Sequence, residues 1–423
     1  MLPGAPFLAR DAGGELRLEG HSLAELGRRF GTPLFVYSRS AMRSALADYQ
    51  RALQGRPHLI CYAMKANSTL AVLQTFAEAG CGFDIVSGGE LERALAAGGD
   101  ASKIVFSGVG KTAAEMRQAL AAGVRCFNVE SVGELERLSG VAVTMGRLAP
   151  VSLRVNPDVD AGTHPYISTG LRGNKFGIAH DEAVAAYRRA AALPGIEVTG
   201  IDCHIGSQIT EVAPYVDAAE RILDVVDALA RAGIELHHID FGGGLGITYT
   251  DETPPRADEL VARLLERMDT RGYGSREVLF EPGRSLVGNA GVLLTEVQYL
   301  KPGDVKNFCI VDAAMNDLVR PAMYQAWMAI EPCRPRAGDA KTWDIVGPVC
   351  ESGDWLGRDR ELALAPGDLL AVLSAGAYGM AMASNYNSRP RAAEVMVDAG
   401  AVHLIRSREQ VRDLFAGERL IGA

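Results

Sequence analysis

The chain has no C-x-x-C pair among its seven cysteines (Cys61, Cys81, Cys126, Cys203, Cys309, Cys333, Cys350). Their odd number also argues against a complete disulfide framework, so most are expected to be buried thiols. Zinc-type histidine spacing is absent as well. His237 and His238 are adjacent in a strand-like run and would point to opposite faces, so no structural metal is expected. There is no block of basic residues, and 43 Lys and Arg against 52 Asp and Glu leave a formal net charge of −9. That balance speaks against nucleic acid or an anionic membrane as partner and favours a small molecule. No stretch is long and apolar enough to span a bilayer, and MLPGAPFLARDAGGELRLEG lacks a basic segment followed by an apolar core. A cytoplasmic location is expected.

What is present is ample core material, with 48% hydrophobic residues over 423 positions, more than one core usually supports. Eight short apolar runs read as strands: 59–65, 83–87, 104–108, 126–131, 151–156, 199–206, 237–244 and 277–284. Between most of them lie segments of helical period, such as 69–79, 89–97, 112–122, 181–193, 215–232 and 257–268. Asn67 or Ser68 can cap one helix, and Gly80, Gly98, Gly123 and Gly233 sit where a left-handed terminal residue belongs. Eight βα units imply a parallel (β/α)8 barrel of the TIM type, α/β in class. The longest helix-poor insertion, Pro157 to Gly177, has the length of a functional loop. After about residue 290 strands alternate with turns, two of them P-G-D, which predicts a mostly antiparallel β-sandwich or barrel domain. The N-terminal segment reads as strand and connector and can join it. The expected division is 36–288 for the barrel, with 1–35 and 289–423 forming a discontinuous β domain.

In such a barrel, chemistry gathers at the C-terminal strand ends. Those ends carry Lys65, Asp84 with Ser87, Asn128, Arg154 with Asn156, His204 with Ser207, Asp240 with glycines 242–244, and Glu281 with Arg284. Lys65 ends the apolar run CYAMK, where partial desolvation would make its amine a nucleophile toward an aldehyde, although a lysine snorkelling to solvent explains the same residue. FGGGLG and EPGR follow strands seven and eight, where barrels often hold one phosphate; a tight turn is the plainer reading. A dinucleotide fingerprint is disfavoured because ITYTDETPP, not a helix, comes next. Glu281 can keep a heterocyclic nitrogen protonated or merely pair with Arg284. His204 can stack on a planar ring, shuttle a proton, or be hydrogen-bonded in place. Arg320 and Tyr324, four apart with Pro321 suited to a first helical turn, can face one carboxylate. Cys350 and Glu351 pair a possible thiol acid with a carboxylate, or are a buried cysteine beside a surface glutamate.

The segments GTPLFVYS, YAMKAN, FDIVSGGELERAL, FNVESVGELERL, HPYISTGLRGNKFGI, CHIGSQI, IDFGGGLGI, EPGRSLVG, VDAAMNDLVRPAMY, GPVCESGD and AGAYGMAMASNYN, in this order, resemble the diaminopimelate decarboxylases. These belong to the alanine-racemase-like, fold type III class of pyridoxal-phosphate (PLP) enzymes. The chain resembles them better than the ornithine, arginine or carboxynorspermidine decarboxylases of the same fold, which remain the alternative. The resemblance implies decarboxylation of meso-2,6-diaminopimelate at its D-centre to L-lysine and CO2, the last step of lysine biosynthesis. It further implies that Lys65 carries PLP as a Schiff base and that His204 stacks on the ring. Ser207, Gly243, Glu281, Pro282, Gly283 and Arg284 would hold the phosphate and ring nitrogen. Tyr378 would touch phosphate and substrate, and Arg284, Arg320, Tyr324 and Glu351 would bind the distal end of the substrate. Cys350 would donate the proton from the partner subunit of a homodimer.

Overall fold

The computed structural model describes every residue except Met1, Pro3, Gly4, Ser168 and Ala423. Its contacts divide the chain into two compact units, Ser44–Gly246 with Thr253–Ser285, and Met1–Arg43 with Ile247–Glu252 and Leu286–Ala423.

The first unit is the barrel. Its strands are His58–Ala63, Gly82–Ile85, Ile104–Phe106, Cys126–Val129, Ala149–Asn156, Ile196–Asp202, His238–Asp240 and Glu277–Phe280. Each pairs in parallel with its successor, and the eighth pairs with the first through Val278↔His58, Leu279↔Leu59 and Phe280↔Ile60, which closes the sheet. Helices follow the first seven strands, at Leu70–Glu78, Gly88–Ala96, Ala113–Ala122, Val132–Met145, Ala183–Ala192, Ala213–Arg231 and Ala257–Thr270. Near-continuous apolar strands are what a parallel sheet covered on both faces requires, and Phe83, Phe106, Phe127, Val151 and Leu153 are fully buried here.

Local chemistry sets the helix ends. Ser87, Thr112 and Ser131 accept the N3 backbone N–H of the helices they precede, and Gly123 and Gly146 close two helices in the left-handed conformation. For Leu70–Glu78 the N-cap is Thr69, not Asn67 or Ser68. Asn67 instead accepts the Thr69 N–H at 3.1 Å. The Pro157 to Gly177 insertion has no helix or strand among its described residues; Ser168 of its HPYISTG motif lies outside them. Asn156 anchors it by donating to the carbonyls of Leu171 and Phe176 at 2.9 and 3.2 Å.

The second unit is mostly sheet. Its main path runs Trp355–Leu362, Lys341–Val346, Phe308–Val311, Gly291–Lys301, Leu34–Ser38, Ala393–Asp398, Ala401–Arg406, with Leu369–Val372 also paired to Gly291–Lys301. Most neighbours are antiparallel; Leu34–Ser38 with Ala393–Asp398 and Phe308–Val311 with Lys341–Val346 are parallel. Leu34–Ser38, which spans the expected boundary at residue 36, is wholly buried within this sheet. The N-terminal segment is more than strand and connector, because Ser22 caps a helix at Leu23–Phe30 whose Leu23, Ala24 and Leu26 enter the same core as Leu34, Val36, Leu294 and Val395.

Candidate active site

Lys65 follows the first strand on a short 3-10 turn, Met64–Ala66, and its Nζ pairs with Asp84 at the end of the second. The Asp84 carboxylate is fully buried while the lysine keeps partial access to solvent. Barrel closure brings the EPGR segment alongside, since Ala63 N–H donates to the Pro282 carbonyl at 3.1 Å. A side chain at Gly283 would meet the Ala63 carbonyl at 3.0 Å, so only glycine lets the two backbones approach this closely without displacement.

Carboxyl groups converge inside the barrel. Oxygens of Asp202, Asp240 and Glu281 lie within 4.8 Å of one another, all three residues being buried. Burial, reinforced by the negative Asp84, Asp240 and Asp202, pushes the Glu281 carboxyl well above the usual carboxylate range. Burial and then Asp202 do the same to Asp240. Asn128 donates to Glu281 Oε1 at 3.2 Å and to Ser107 Oγ at 3.1 Å. Burial, followed by the positive Arg154 and Lys65, holds His204 well below the ordinary histidine value, so its ring is neutral. Because His204 Nδ1 accepts the Gly243 N–H at 3.1 Å, the ring proton belongs on Nε2.

The glycines after the seventh strand leave no room for side chains. A Cβ on Gly243 would sit 2.0 Å from the Glu281 carbonyl, and one on Gly244 2.3 Å from that of Gly206. Nearby, Arg284 donates from Nε and a terminal nitrogen to Ser207 Oγ at 3.3 and 3.0 Å, which leaves the Ser207 hydroxyl hydrogen to point elsewhere. Two residues beyond the sequence reading complete this rim. Glu130 holds Arg154 at 3.1 Å and the N–H of Gly177 at 3.0 Å, and Thr169 donates to the His204 carbonyl at 2.8 Å. An acid one residue beyond the fourth strand was the available signal for Glu130.

In the β unit, Arg320 and Tyr324 bound a one-turn helix with Pro321 at its start. Arg320 is buried, donates to the Tyr249 hydroxyl at 2.8 Å and lies over the Tyr249 ring. Cys350 and Glu351 sit on a turn, not a strand, and Cys350 is the exposed cysteine while the other six are buried. The turn hangs on buried Asp354, which accepts the N–H groups of Met315 and Val349 at 2.7 and 2.8 Å. Cys350 N–H donates to Asn387 at 3.0 Å, and the nearby Glu351 carboxylate raises the Tyr386 hydroxyl above its ordinary value. Tyr378 has φ +57°, a left-handed conformation uncommon for a bulky residue.

Residues 39–288 match the family described as pyridoxal-dependent decarboxylase, pyridoxal binding domain. A diaminopimelate decarboxylase of Pseudomonas aeruginosa is 60% identical over 98% of this chain and 99% of its own length. The enzyme of that name from Vibrio cholerae is 57% identical over 96% and 97%. The crystal structure of diaminopimelate decarboxylase from M. jannaschii in co-complex with L-lysine superposes with a TM-score of 0.94 at 38% identity, covering 99% of both chains.

Proposed function

The chain belongs to the diaminopimelate decarboxylases among the pyridoxal-dependent decarboxylases, and from that membership we propose how its own residues carry the reaction. The enzyme is a PLP-dependent carboxy-lyase that converts meso-2,6-diaminopimelate to L-lysine and CO2.

The barrel residues fit the cofactor. Glycines 242–244 form a cradle that any Cβ would fill, a primary amine stands at Lys65, and a buried acid with an elevated pKa stands at Glu281. Bound there, PLP supplies an electron sink for the carbon that loses CO2. Lys65 would hold its aldehyde carbon, with Asp84 fixing the direction of Nζ. Glu281 would present its carboxyl to the ring nitrogen, with Pro282 and Gly283 bringing it beside Lys65. His204, neutral and held by Gly243 N–H, offers an uncharged flat face for stacking. Since that N–H is engaged, Gly243 would serve the phosphate by its missing side chain, while Ser207 gives its hydroxyl hydrogen and Arg284 orients it. Tyr378 would close the phosphate side.

Arg320, Tyr324, Glu351 and Arg284 would grip the distal amine and carboxylate, because leaving those groups unpaired weakens binding steeply. Cys350 would deliver a proton to the decarboxylated carbon from the second subunit of a homodimer, a role suited to its exposure. A cytoplasmic location is part of the same reading; no described helix is long and apolar enough to cross a membrane. The observation that carries the residue assignment is the closure of strand eight on strand one, which sets EPGR beside Lys65. Purified enzyme given meso-diaminopimelate, D- and L-lysine, ornithine and arginine separately, with CO2 and product amine measured, tests it. Release of L-lysine from meso-diaminopimelate alone is expected; preferential turnover of ornithine or arginine would transfer the assignment to another basic amino acid.

A further inference from the structure

Glu281 does not stand alone. The barrel interior holds Asp84, Asp202, Asp240 and Glu281, none more than 4% exposed. The cations turned toward them are Lys65, paired with Asp84, and Arg154, paired with Glu130. Among the other titratable groups near this space, Cys61, Cys126 and Cys203 are buried thiols held far above their ordinary value by burial, the Tyr187 hydroxyl is likewise raised by burial, and His204 is held neutral. Four carboxylates and Glu130 against two cations cannot all stay ionised out of water, so protons must reside among them.

The geometry says where one proton lies. Asp240 Oδ1 accepts the Gly242 N–H at 2.8 Å, but Asp240 Oδ2 has no hydrogen-bond partner among the described residues, and neither has Asp202 Oδ1. Carboxyl oxygens of Asp240 and Glu281 lie within 4.8 Å of each other, both buried, while the third member of the cluster, Asp202, has its charge offset by Arg154. Two carboxyl groups this close and this dry are stable together when one of them carries a proton. We propose that Asp240 is a positioning residue for Glu281, sharing with it one proton that leaves the pair when the cofactor ring nitrogen arrives. That proton passes to the nitrogen if the ring enters neutral and to solvent if it enters protonated. Glu281 is left as the carboxylate facing a protonated ring, and Asp202 acts on the pair only through its charge. This inference rests on the placement of the ring nitrogen at Glu281 given above.

Calorimetric titration of cofactor-free, full-length protein with PLP, in buffers of different ionisation enthalpy, counts the protons exchanged. Asp240→Asn keeps shape and a hydrogen-bond donor but cannot hold the shared proton. Relative to native protein it should take up close to one more proton, or release one fewer, on binding. Asp202→Asn should change the count by much less. An unchanged count in Asp240→Asn, or equal changes in both variants, overturns the pairing. Should Asp240→Asn not fold, infrared spectroscopy of native protein decides. A protonated-carboxyl carbonyl band lost on adding PLP supports the proposal, and its absence from the cofactor-free protein refutes it. Failure of native protein to bind PLP would instead refute the functional reading itself.

Discussion

Glu281 and Asp84 lie inside the barrel almost without solvent contact, whereas Cys350 and Glu351 of the β unit stand exposed on a turn. The barrel controls its groups by desolvation and by like charges at close range. Those forces set protonation states as well as positions. The β unit controls position through backbone hydrogen bonds to one buried carboxylate, Asp354, and leaves the thiol accessible. The contrast suits the division of labour proposed above, in which one group stays fixed while another would deliver a proton to a changing substrate.

Several substitutions would break or sharpen that contrast. Lys65→Ala should have the largest effect, removing the visible chromophore and lowering kcat by more than roughly 10⁴-fold. Retention of both would displace Lys65 from its role. Cys350→Ala should cost about 10²–10⁴-fold in kcat while the cofactor spectrum stays as it was, the mark of a lost proton donor. A changed spectrum with normal turnover would contradict the assignment. Arg320→Ala should act mainly on KM for meso-diaminopimelate, by about 1.5–3 kcal/mol of lost charged hydrogen bonding, or roughly tenfold to a hundredfold. An unmoved KM would take Arg320 out of the distal grip. Asp354→Ala strands two backbone N–H groups and should lower unfolding stability by about 1–3 kcal/mol, with a smaller loss of kcat than Cys350→Ala. Thermal melts beside steady-state kinetics compare the two.

The smallest expected effect concerns pH. Burial, opposed by Arg154, raises Asp202 from its ordinary 3.8 to about 7 in the folded protein. A raised folded-state pKa means more protons bound in the native state, so this contribution is complete below about pH 4 and fades as pH climbs through 7. Cofactor-free protein should melt a few degrees lower at pH 8 than at pH 5.5, and Asp202→Asn should flatten that slope. His204 works in the opposite sense: its depressed pKa removes stability as pH falls below about 6.5.

The barrel was legible because its strands are short apolar runs ended by polar residues at near-regular spacing. Lys65, His204, Asp240 and Glu281 all emerge at those ends, as the period-two and period-3.6 patterns required. Helix Val132–Met145 was harder to read, since Gly133, Gly140 and a run of β-branched residues mask its period; its start is nevertheless marked by Ser131 and Glu134. Helix Leu23–Phe30 carries the same mark in Ser22 and Glu25. The strands Trp355–Leu362 and Ala401–Arg406 are hard to read from sequence because they alternate weakly, with charged and exposed positions. Nor could spacing reveal that Asp202 and Asp240 meet Glu281, because that meeting depends on how the ring closes.

Ring closure also bears on how the enzyme is made. Phe280 registers with Ile60, and Leu34–Ser38 lies between Gly291–Lys301 and Ala393–Asp398, so in both units an early strand waits for a late one. While the chain is still emerging from the ribosome, Lys65 has no EPGR neighbour and the first strand offers an open edge. A nascent chain halted before residue 277 would be chemically silent and prone to stick to others. Competence therefore arrives late in synthesis, when strand eight has closed on strand one.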